Sequence, residues 1–294
     1  MATITIFTPT YNRGYTLDKL YDSLKRQTSK DFCWLIVDDG STDNTRELVE
    51  GWIKEDYLDI KYHWQQNDGK MNAHNYAVKI CDTELFLCCD SDDYLTDDAV
   101  EKIVKAWNDY QGDRRHISGV MGPKCLFKDN VKIESSLPDD CEKPMTLKDF
   151  SSPKGKVHET FLAFRTSVIR QYPFPVQPGE KFIPEGTAYH EIDKHFKMIV
   201  LPEELMICHY LPDGYSKTGG IKRLLENPKS MAISFNMNAA SLSLSKKKIV
   251  AVRDYCFCSL IGGGTVLSII SKSTTPLLAI MVLPLALYKY YKSL

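Results

Sequence analysis

With 294 residues and a net charge of −1, the chain has room for one large α/β domain plus an appendage, and it lacks the global basic field expected of a nucleic-acid binder. Its nine cysteines are odd in number, lack the spacing of a structural zinc site and suggest no paired framework, so a reducing compartment is expected. The N-terminus opens on a strand-like run without a signal-peptide pattern, which fits a cytoplasmic protein.

Residues 2–8 alternate and are rich in β-branched side chains, as a first strand should be. That strand ends at Pro9, and residues 10–14 read as a loop. Leu17, Leu20, Tyr21 and Leu24 then recur at helical spacing. Residues 32–37 are apolar throughout and predict a second, buried strand ending in Asp38 and Asp39. Gly40 begins a turn, and Asn44 with Glu47 opens a helix that carries Leu48, Val49, Trp52 and Ile53 inward. Residues 60–64 predict a short third strand. After a turn at 67–70, a helix bears Ala73, Ala77 and Val78 on one face.

Residues 84–89 predict a fourth strand that runs straight into Asp90, Ser91, Asp92 and Asp93. A continuous apolar run suits a strand covered on both faces, and open α/β sheets hold ligands at the carboxyl ends of such strands. Carboxylates this close repel one another unless a cation or a solvated turn relieves them. Asp90 and Asp92 are hard oxygen donors suited to Mg²⁺ or Mn²⁺ shared with phosphates. The alternative is an acidic turn capping the helix marked by Val100, Ile103, Val104 and Trp107. Strand–helix alternation with a period of about thirty residues predicts βαβ units and a mostly parallel sheet.

From residue 117 the pattern becomes mixed. Residues 117–120 and 124–127 read as strands of an antiparallel part, and 135–156, polar with three prolines, as a long connection. A helix bearing Tyr189, Ile192 and Phe196 is followed by short strands over 197–201 and 205–210 and a loop over 211–216. Residues 246–248 are three lysines, while 255–271 and 273–288 carry no charge. Neither uncharged stretch reaches the ~20 apolar residues of a spanning helix, and Gly262 to Gly264 and Pro284 weaken each as a straight helix. The expectation is segments lying in a membrane interface, or a re-entrant hairpin, with lysines facing anionic headgroups. A helical pair packed on the globular part is the alternative.

Four motifs stand in order at predicted strand ends: Thr8-Pro-Thr-Tyr-Asn-Arg13, Val37-Asp-Asp-Gly-Ser-Thr-Asp-Asn-Thr45, Asn67-Asp-Gly-Lys70 with Ala73 and Asn75, and Asp90-Ser-Asp-Asp93. Together they resemble the family 2 glycosyltransferases of the GT-A fold, closely over roughly the first 110 residues and more loosely over residues 155–220. The resemblance implies an α/β, Rossmann-like, mostly parallel central sheet flanked by helices. The transferase domain would cover residues 1–220, with a nucleotide-binding half over 1–110 and an acceptor-binding half over 111–220. Residues 221–294 would form the apolar, helical, membrane-associating tail.

Under this resemblance Thr8, Pro9 and Tyr11 would line a nucleoside pocket, with Arg13, Asn75 and Ser91 completing the nucleotide-binding set. Asp39, with Asp38 beside it, would accept hydrogen bonds from the base or ribose. Lys70 would reach the base or diphosphate as a point charge, and Asp90 would face the ribose. Asp92 would ligate Mn²⁺ or Mg²⁺ bridging the two phosphates, and His209 would touch phosphate or metal. The residues alone leave another reading open, in which Asp38 and Asp39 cap the turn at Gly40 and Lys70 is a solvated lysine at a helix start.

Such enzymes invert the anomeric carbon in one displacement, which needs a carboxylate within reach of the acceptor hydroxyl. The family's base usually comes from a Glu-Asp motif before a helix. Phe182-Ile-Pro-Glu185-Gly matches best here, with Gly186 replacing the second acid. Glu185 is the first candidate, Glu191 and Asp193 are substitutes, and Glu159 and Glu180 are placed on the acceptor side. The implied function is metal-dependent, inverting transfer from a nucleotide-diphospho-sugar, a UDP-sugar, to a saccharide or lipid-linked acceptor. The setting would be bacterial polysaccharide synthesis at the cytoplasmic membrane face. A catalytically degenerate sugar-nucleotide-binding subunit is the alternative that the missing second acid suggests. A nucleotidyltransferase fits poorly, because residues 8–14 hold one glycine and one arginine where a glycine-rich basic loop is needed.

Overall fold

A computed structural model describes residues 2–129, 131–139, 141–151, 159–209 and 220–293. The first half alternates as the sequence predicts. Strands β1 (Ile4–Thr10), β2 (Phe32–Asp38), β3 (Ile60–Trp64) and β4 (Leu85–Cys88) are separated by helices α1 (Gly14–Lys25), α2 (Thr45–Glu55) and α3 (Lys70–Ile80). All seven residues of β1 and of β2 are buried, which is why their apolar runs do not alternate. Tyr21 of α1, Trp52 of α2 and Trp34 of β2 stack at centroid distances of 4.3, 5.7 and 6.2 Å and fasten the two helices to the sheet.

The chain continues through β5 (Asp93–Leu95), α4 (Ala99–Asp109), β6 (Ile117–Lys128), β7 (Val131–Ile133), the single turn α5 (Leu147–Phe150) and β8 (Thr160–Arg165). A second single turn, α6 (Thr166–Ile169), leads on to α7 (Gly186–Asp193), β9 (Lys197–Val200) and β10 (Met206–His209). The strands form one sheet in the order β3-β2-β1-β4-β8-β6-β10-β5, with β7 and β9 also paired to β6. β3, β2, β1 and β4 are mutually parallel, and β8 is antiparallel to both β4 and β6.

Three features depart from the sequence reading. The two strands expected over 117–120 and 124–127 are one strand, β6, which runs through Pro123 while Lys124 N–H keeps the pairing with the Glu159 carbonyl at 2.9 Å. β8, in a stretch to which the sequence reading assigns no element, fills the space between β4 and β6. β5 is three residues long and emerges only because β10 pairs with it. The loop expected over 211–216 lies outside the described residues.

The chain divides into two compact units, residues 1–173 with 189–213, and residues 174–188 with 214–294. Residues 174–188 thus belong with the C-terminal helices rather than with the sheet. These helices are α8 (Gly220–Glu226), α9 (Pro228–Ser241), α10 (Lys246–Ile261), α11 (Val266–Lys272) and α12 (Pro276–Ser293). The Glu180 carboxylate, expected on the acceptor side, accepts the Lys229 and Ser230 amides at 2.8 and 2.7 Å and caps the first turn of α9. Asn227 Oδ1 accepts the Lys181 and Phe182 amides at 2.8 and 2.9 Å. Phe257, Cys256, Cys258, Ala279 and Ala286 are fully buried in this unit's own core. The inner faces of the two uncharged stretches therefore pack against protein, which replaces the re-entrant hairpin with a helical bundle. Among the described residues no helix is long and apolar enough to cross a membrane.

Candidate active site

Parallel strands β2, β1 and β4 leave a topological switch point. The chain leaves β1 toward β2 on one side and returns as β4 on the other. Such a crevice outside the carboxyl ends of the strands is where open α/β sheets take ligands. The four sequence motifs all arrive at this edge, and hydrogen bonds join their loops in series.

The loop after β1 is tied to the loop after β2. Asn12, held at φ +52°, donates its N–H to Ser41 Oγ at 2.8 Å and accepts the Thr42 amide on its side-chain oxygen at 2.8 Å. Asn tolerates this left-handed backbone better than most residues. Asp43 accepts the Gly14 and Thr45 amides, each at 3.1 Å. Asp38 accepts the Ser41 amide and the Tyr62 hydroxyl, both at 2.7 Å.

The loop after β2 is tied in turn to the loop after β3. Asp39 accepts Gln65 Nε2 and the Asp68 amide on Oδ1 and the Gly69 amide on Oδ2, all at 2.8 Å. Both carboxylates are almost fully buried. Gly40 completes the join at φ +87°, where a Cβ would stand 2.8 Å from the Asn67 nitrogen. Asp38 and Asp39 thus build the floor, and the turn-capping reading accounts for Asp38.

The last link joins α3 to β4. Lys70 Nζ lies 2.8 Å from both oxygens of Asp90. Burial alone would raise the Asp90 carboxyl, but Lys70 and Lys124 together bring it below the usual carboxylate range. Asp92 behaves in the opposite way. Burial first, then the charge of Asp90, lift it above that range, and among the described residues it enters no salt bridge. A half-buried hard oxygen donor that enters no such salt bridge, beside a carboxylate already held by lysine, fits a divalent ion that shares its coordination with phosphates. Among the described residues no group of three His, Cys, Asp or Glu side chains forms an all-protein cage.

His209, expected at phosphate or metal, is packed among aromatic side chains. Its Nε2 is 3.2 Å from the Tyr94 hydroxyl, and its ring stacks on Phe127 at 4.8 Å. Burial and nearby Lys19 lower its pKa. Thr8 also differs from expectation. It is fully buried and accepts the Trp34 indole N–H at 2.9 Å, with Pro9 buried beside it. Of Thr8, Pro9 and Tyr11 only Tyr11, in the loop after β1, offers surface, at 49 % exposure. Arg13 is close enough for its charge to favour ionised Asp92, and its guanidinium lies over the Tyr15 ring. Ser91 is buried between the acids. Asn75 lies further along α3, lining a groove of about 250 Å³ with Val78, Lys79, Arg170 and Tyr172, to which none of the strand-end acids contributes.

Sequence reasoning missed the support beneath Asp90 and Asp92. Lys124 Nζ is 3.0 Å from Asp93 Oδ2, and both side chains are nearly buried. Burial lifts the Asp93 carboxyl to about 6 despite that lysine. Glu159 stands 3.9 Å from the same ammonium. A lysine immediately after a proline inside a predicted strand was the available signal, since such a site is seldom chosen for a solvated charge.

The three candidate bases separate. Asp193 accepts the Leu147 and Lys148 amides, each at 2.9 Å, so it caps α5. Glu191 Oε1 is 2.6 Å from Lys194 Nζ and its side chain is 28 % exposed. Glu185 is exposed and lies in the other compact unit.

Residues 5–130 match the profile described as Glycosyl transferase family 2. The chain is 29% identical over 175 residues to a teichoic acid poly(glycerol phosphate) polymerase of Staphylococcus epidermidis, a match covering 58% of this chain and 23% of the relative. It is 29% identical over 181 residues to a GalNAc(5)-diNAcBac-PP-undecaprenol beta-1,3-glucosyltransferase of Campylobacter jejuni, covering 59% of this chain and 55% of that one. The chain therefore spans only part of the length of these relatives. Among solved structures, S. aureus TarS 1-349 in complex with UDP-GlcNAc superimposes with a TM-score of 0.60 at 16% identity, covering 100% of this chain and 92% of that one. That likeness establishes the fold, the GT-A arrangement expected from the motifs.

Proposed function

Because residues 5–130 form a family 2 glycosyl transferase domain, we propose that this chain transfers a sugar from a nucleotide-diphospho-sugar, a UDP-sugar, to a saccharide or lipid-linked saccharide acceptor. The reaction is inversion at the anomeric carbon, in bacterial polysaccharide synthesis at the cytoplasmic membrane face. One observation carries the reading: Lys70, Asp90 and Asp92 meet at the switch-point edge, on loops cross-linked as one rigid rim. The TarS complex with UDP-GlcNAc supports the donor class, and the undecaprenol-linked substrate in the C. jejuni relative's name supports the acceptor class.

Within that reading Tyr11 presents an aromatic face on which a base stacks. Lys70 turns from Asp90 toward the donor's diphosphate. Asp92 is the residue that would hold Mn²⁺ or Mg²⁺, whose chemistry there is to offset charge on the departing diphosphate. Glu191 is favoured over Glu185 as base because it belongs to the unit that carries the donor loops. Its helix packs through Tyr189 on Phe164, which is paired to Phe86 of β4.

Thermal stabilisation by UDP, GDP, CMP and TDP, with and without Mn²⁺, tests the reading. Ligand at a hundredfold over its dissociation constant adds about 2.7 kcal/mol. A shift confined to UDP and enhanced by Mn²⁺ is the expected result. No shift with any nucleotide overturns it. A shift without turnover on any acceptor points instead to a sugar-nucleotide-binding subunit.

A further inference from the structure

Helix α12 has two faces of opposite fate. Ala279, Val282 and Ala286 are buried in the helical unit, and Lys289 turns inward to Asp254 at 3.0 Å and over the Phe257 ring at 4.3 Å. On the other side Leu277, Ile280, Met281, Leu285, Tyr288 and Tyr291 are all exposed, between 50 and 78 %. At 3.6 residues per turn these six fall within an arc of about 140°, with Pro284 at its centre and Lys292 closing the stripe. The arc extends for about 22 Å along the helix, too short and too one-sided to span a bilayer.

We infer that the outer face of α12 docks in the plane of a lipid surface carrying anionic headgroups. Charge selects this occupant. After Asp254 the sequence contains Lys272, Lys289 and Lys292 and no Asp or Glu, although the whole chain is slightly acidic. Lys289 shares the Asp254 carboxylate with Arg253, which leaves Lys272 exposed at the C-terminal end of α11, just before α12, and Lys292 exposed in the last turn of α12. A twofold contact between copies of this chain would set the same uncompensated lysines against each other or against more apolar surface. A headgroup layer instead receives the lysines and the Tyr288 and Tyr291 hydroxyls while the leucines enter the acyl boundary. This deepens the membrane-face part of the proposed function and does not depend on the donor assignment.

The test uses the full chain and vesicle flotation, comparing phosphatidylcholine alone with phosphatidylcholine containing about 30 % phosphatidylglycerol. The native protein should float with the anionic vesicles, more weakly at high salt, and only poorly with the neutral ones. Leu277→Glu/Met281→Glu/Leu285→Glu should reduce binding about tenfold or more, and Lys292→Glu about fivefold. All four positions face outward, and circular dichroism with UDP-induced stabilisation checks that each variant is folded and retains its donor site. Native protein that ignores anionic vesicles, or a triple variant that binds them equally well, overturns the inference. So does light scattering that shows a native dimer dispersed by the triple variant without any vesicle binding. Loss of UDP stabilisation with vesicle binding intact would count against the transferase reading alone.

Discussion

Lys70 holds both carboxylate oxygens of Asp90 at 2.8 Å, across the gap between the start of α3 and the end of β4. The pair is about a third exposed on each side, so its worth to folding is small, on the order of 1 kcal/mol or less. Under the proposed function its value is positional, with the ammonium passing from Asp90 to the donor's diphosphate. Lys70→Met should leave urea stability within about 1 kcal/mol of native and weaken UDP binding at least about tenfold. Equal affinity in calorimetry would remove Lys70 from the donor site.

Asp39 predicts the opposite balance. Three donors at 2.8 Å make it the fastening between the loops after β2 and β3. Hydrogen bonds to a charged group contribute about 1.5–3 kcal/mol each, without being additive. Asp39→Asn places an amide N–H₂ against one of these donors, so urea unfolding should show a loss of about 2–4 kcal/mol, with transferase activity falling in parallel. An Asp39 variant of native stability that nevertheless loses UDP binding would return this residue to direct base or ribose contact.

These two residues show what was legible in the sequence. The order of motifs identified the edge of the sheet, because short apolar runs that end in carboxylates and alternate with helical patterns fit buried parallel strands. It did not separate side chains that meet a ligand from those that brace the loops. Asp39 and Asp90 look alike in sequence, and the difference lies in whether backbone amides or a lysine arrive from elsewhere. β5 and β8 were hidden for a related reason. Each is defined by a partner more than sixty residues away, β10 for β5 and β4 for β8, and local propensity does not carry that information. In the C-terminal unit the absence of charge was visible, yet only packing divides its residues into a protein core and an outer stripe.

The buried imidazole of His74 gives a pH signature. It sits edge-on to Phe7 and Phe86 at 5.6 and 5.2 Å, and burial, aided by the Lys70 charge, lowers its pKa from 6.5 to about 3. The folded state therefore disfavours protonation relative to the unfolded chain. The contribution is whole above pH 6.5 and is lost as pH falls toward 3, at up to about 1.4 kcal/mol per pH unit. His74→Leu should flatten this acid limb in urea titrations between about pH 6.5 and 4, leaving the neutral-pH side unchanged apart from a constant offset. A limb of equal slope in the variant would assign the acid sensitivity to other groups.

Glu191 and Glu185 can be separated by kinetics. A general base removed by Glu→Gln should lower kcat about 10²-fold or more while leaving UDP stabilisation intact. Glu191→Gln is expected to do so and Glu185→Gln to stay within about threefold of native. Asp193→Asn should act mainly on stability, since its carboxylate holds the Leu147 and Lys148 amides. If Glu185→Gln alone abolishes turnover, the base comes from the second unit.

Lys124 offers the sharpest test of the floor beneath Asp90 and Asp92. Its ammonium is buried against Asp93 at 3.0 Å, with side-chain exposures of 14 and 8 %. Removing one member of such a pair strands the other charge, at a cost of about 3–5 kcal/mol. Lys124→Met should therefore be strongly destabilising by urea unfolding. Adding Asp93→Leu should restore much of the loss, because an apolar replacement of a buried ion pair is often neutral. If the pair serves only packing, the double variant regains UDP affinity along with stability. If Lys124 also sets the position of Asp90 and Asp92, stability returns while UDP affinity, and its response to Mn²⁺, stays impaired. The second outcome is expected, because Lys124 also lowers the Asp90 carboxyl and stands 3.9 Å from Glu159, and an apolar pair reproduces neither effect.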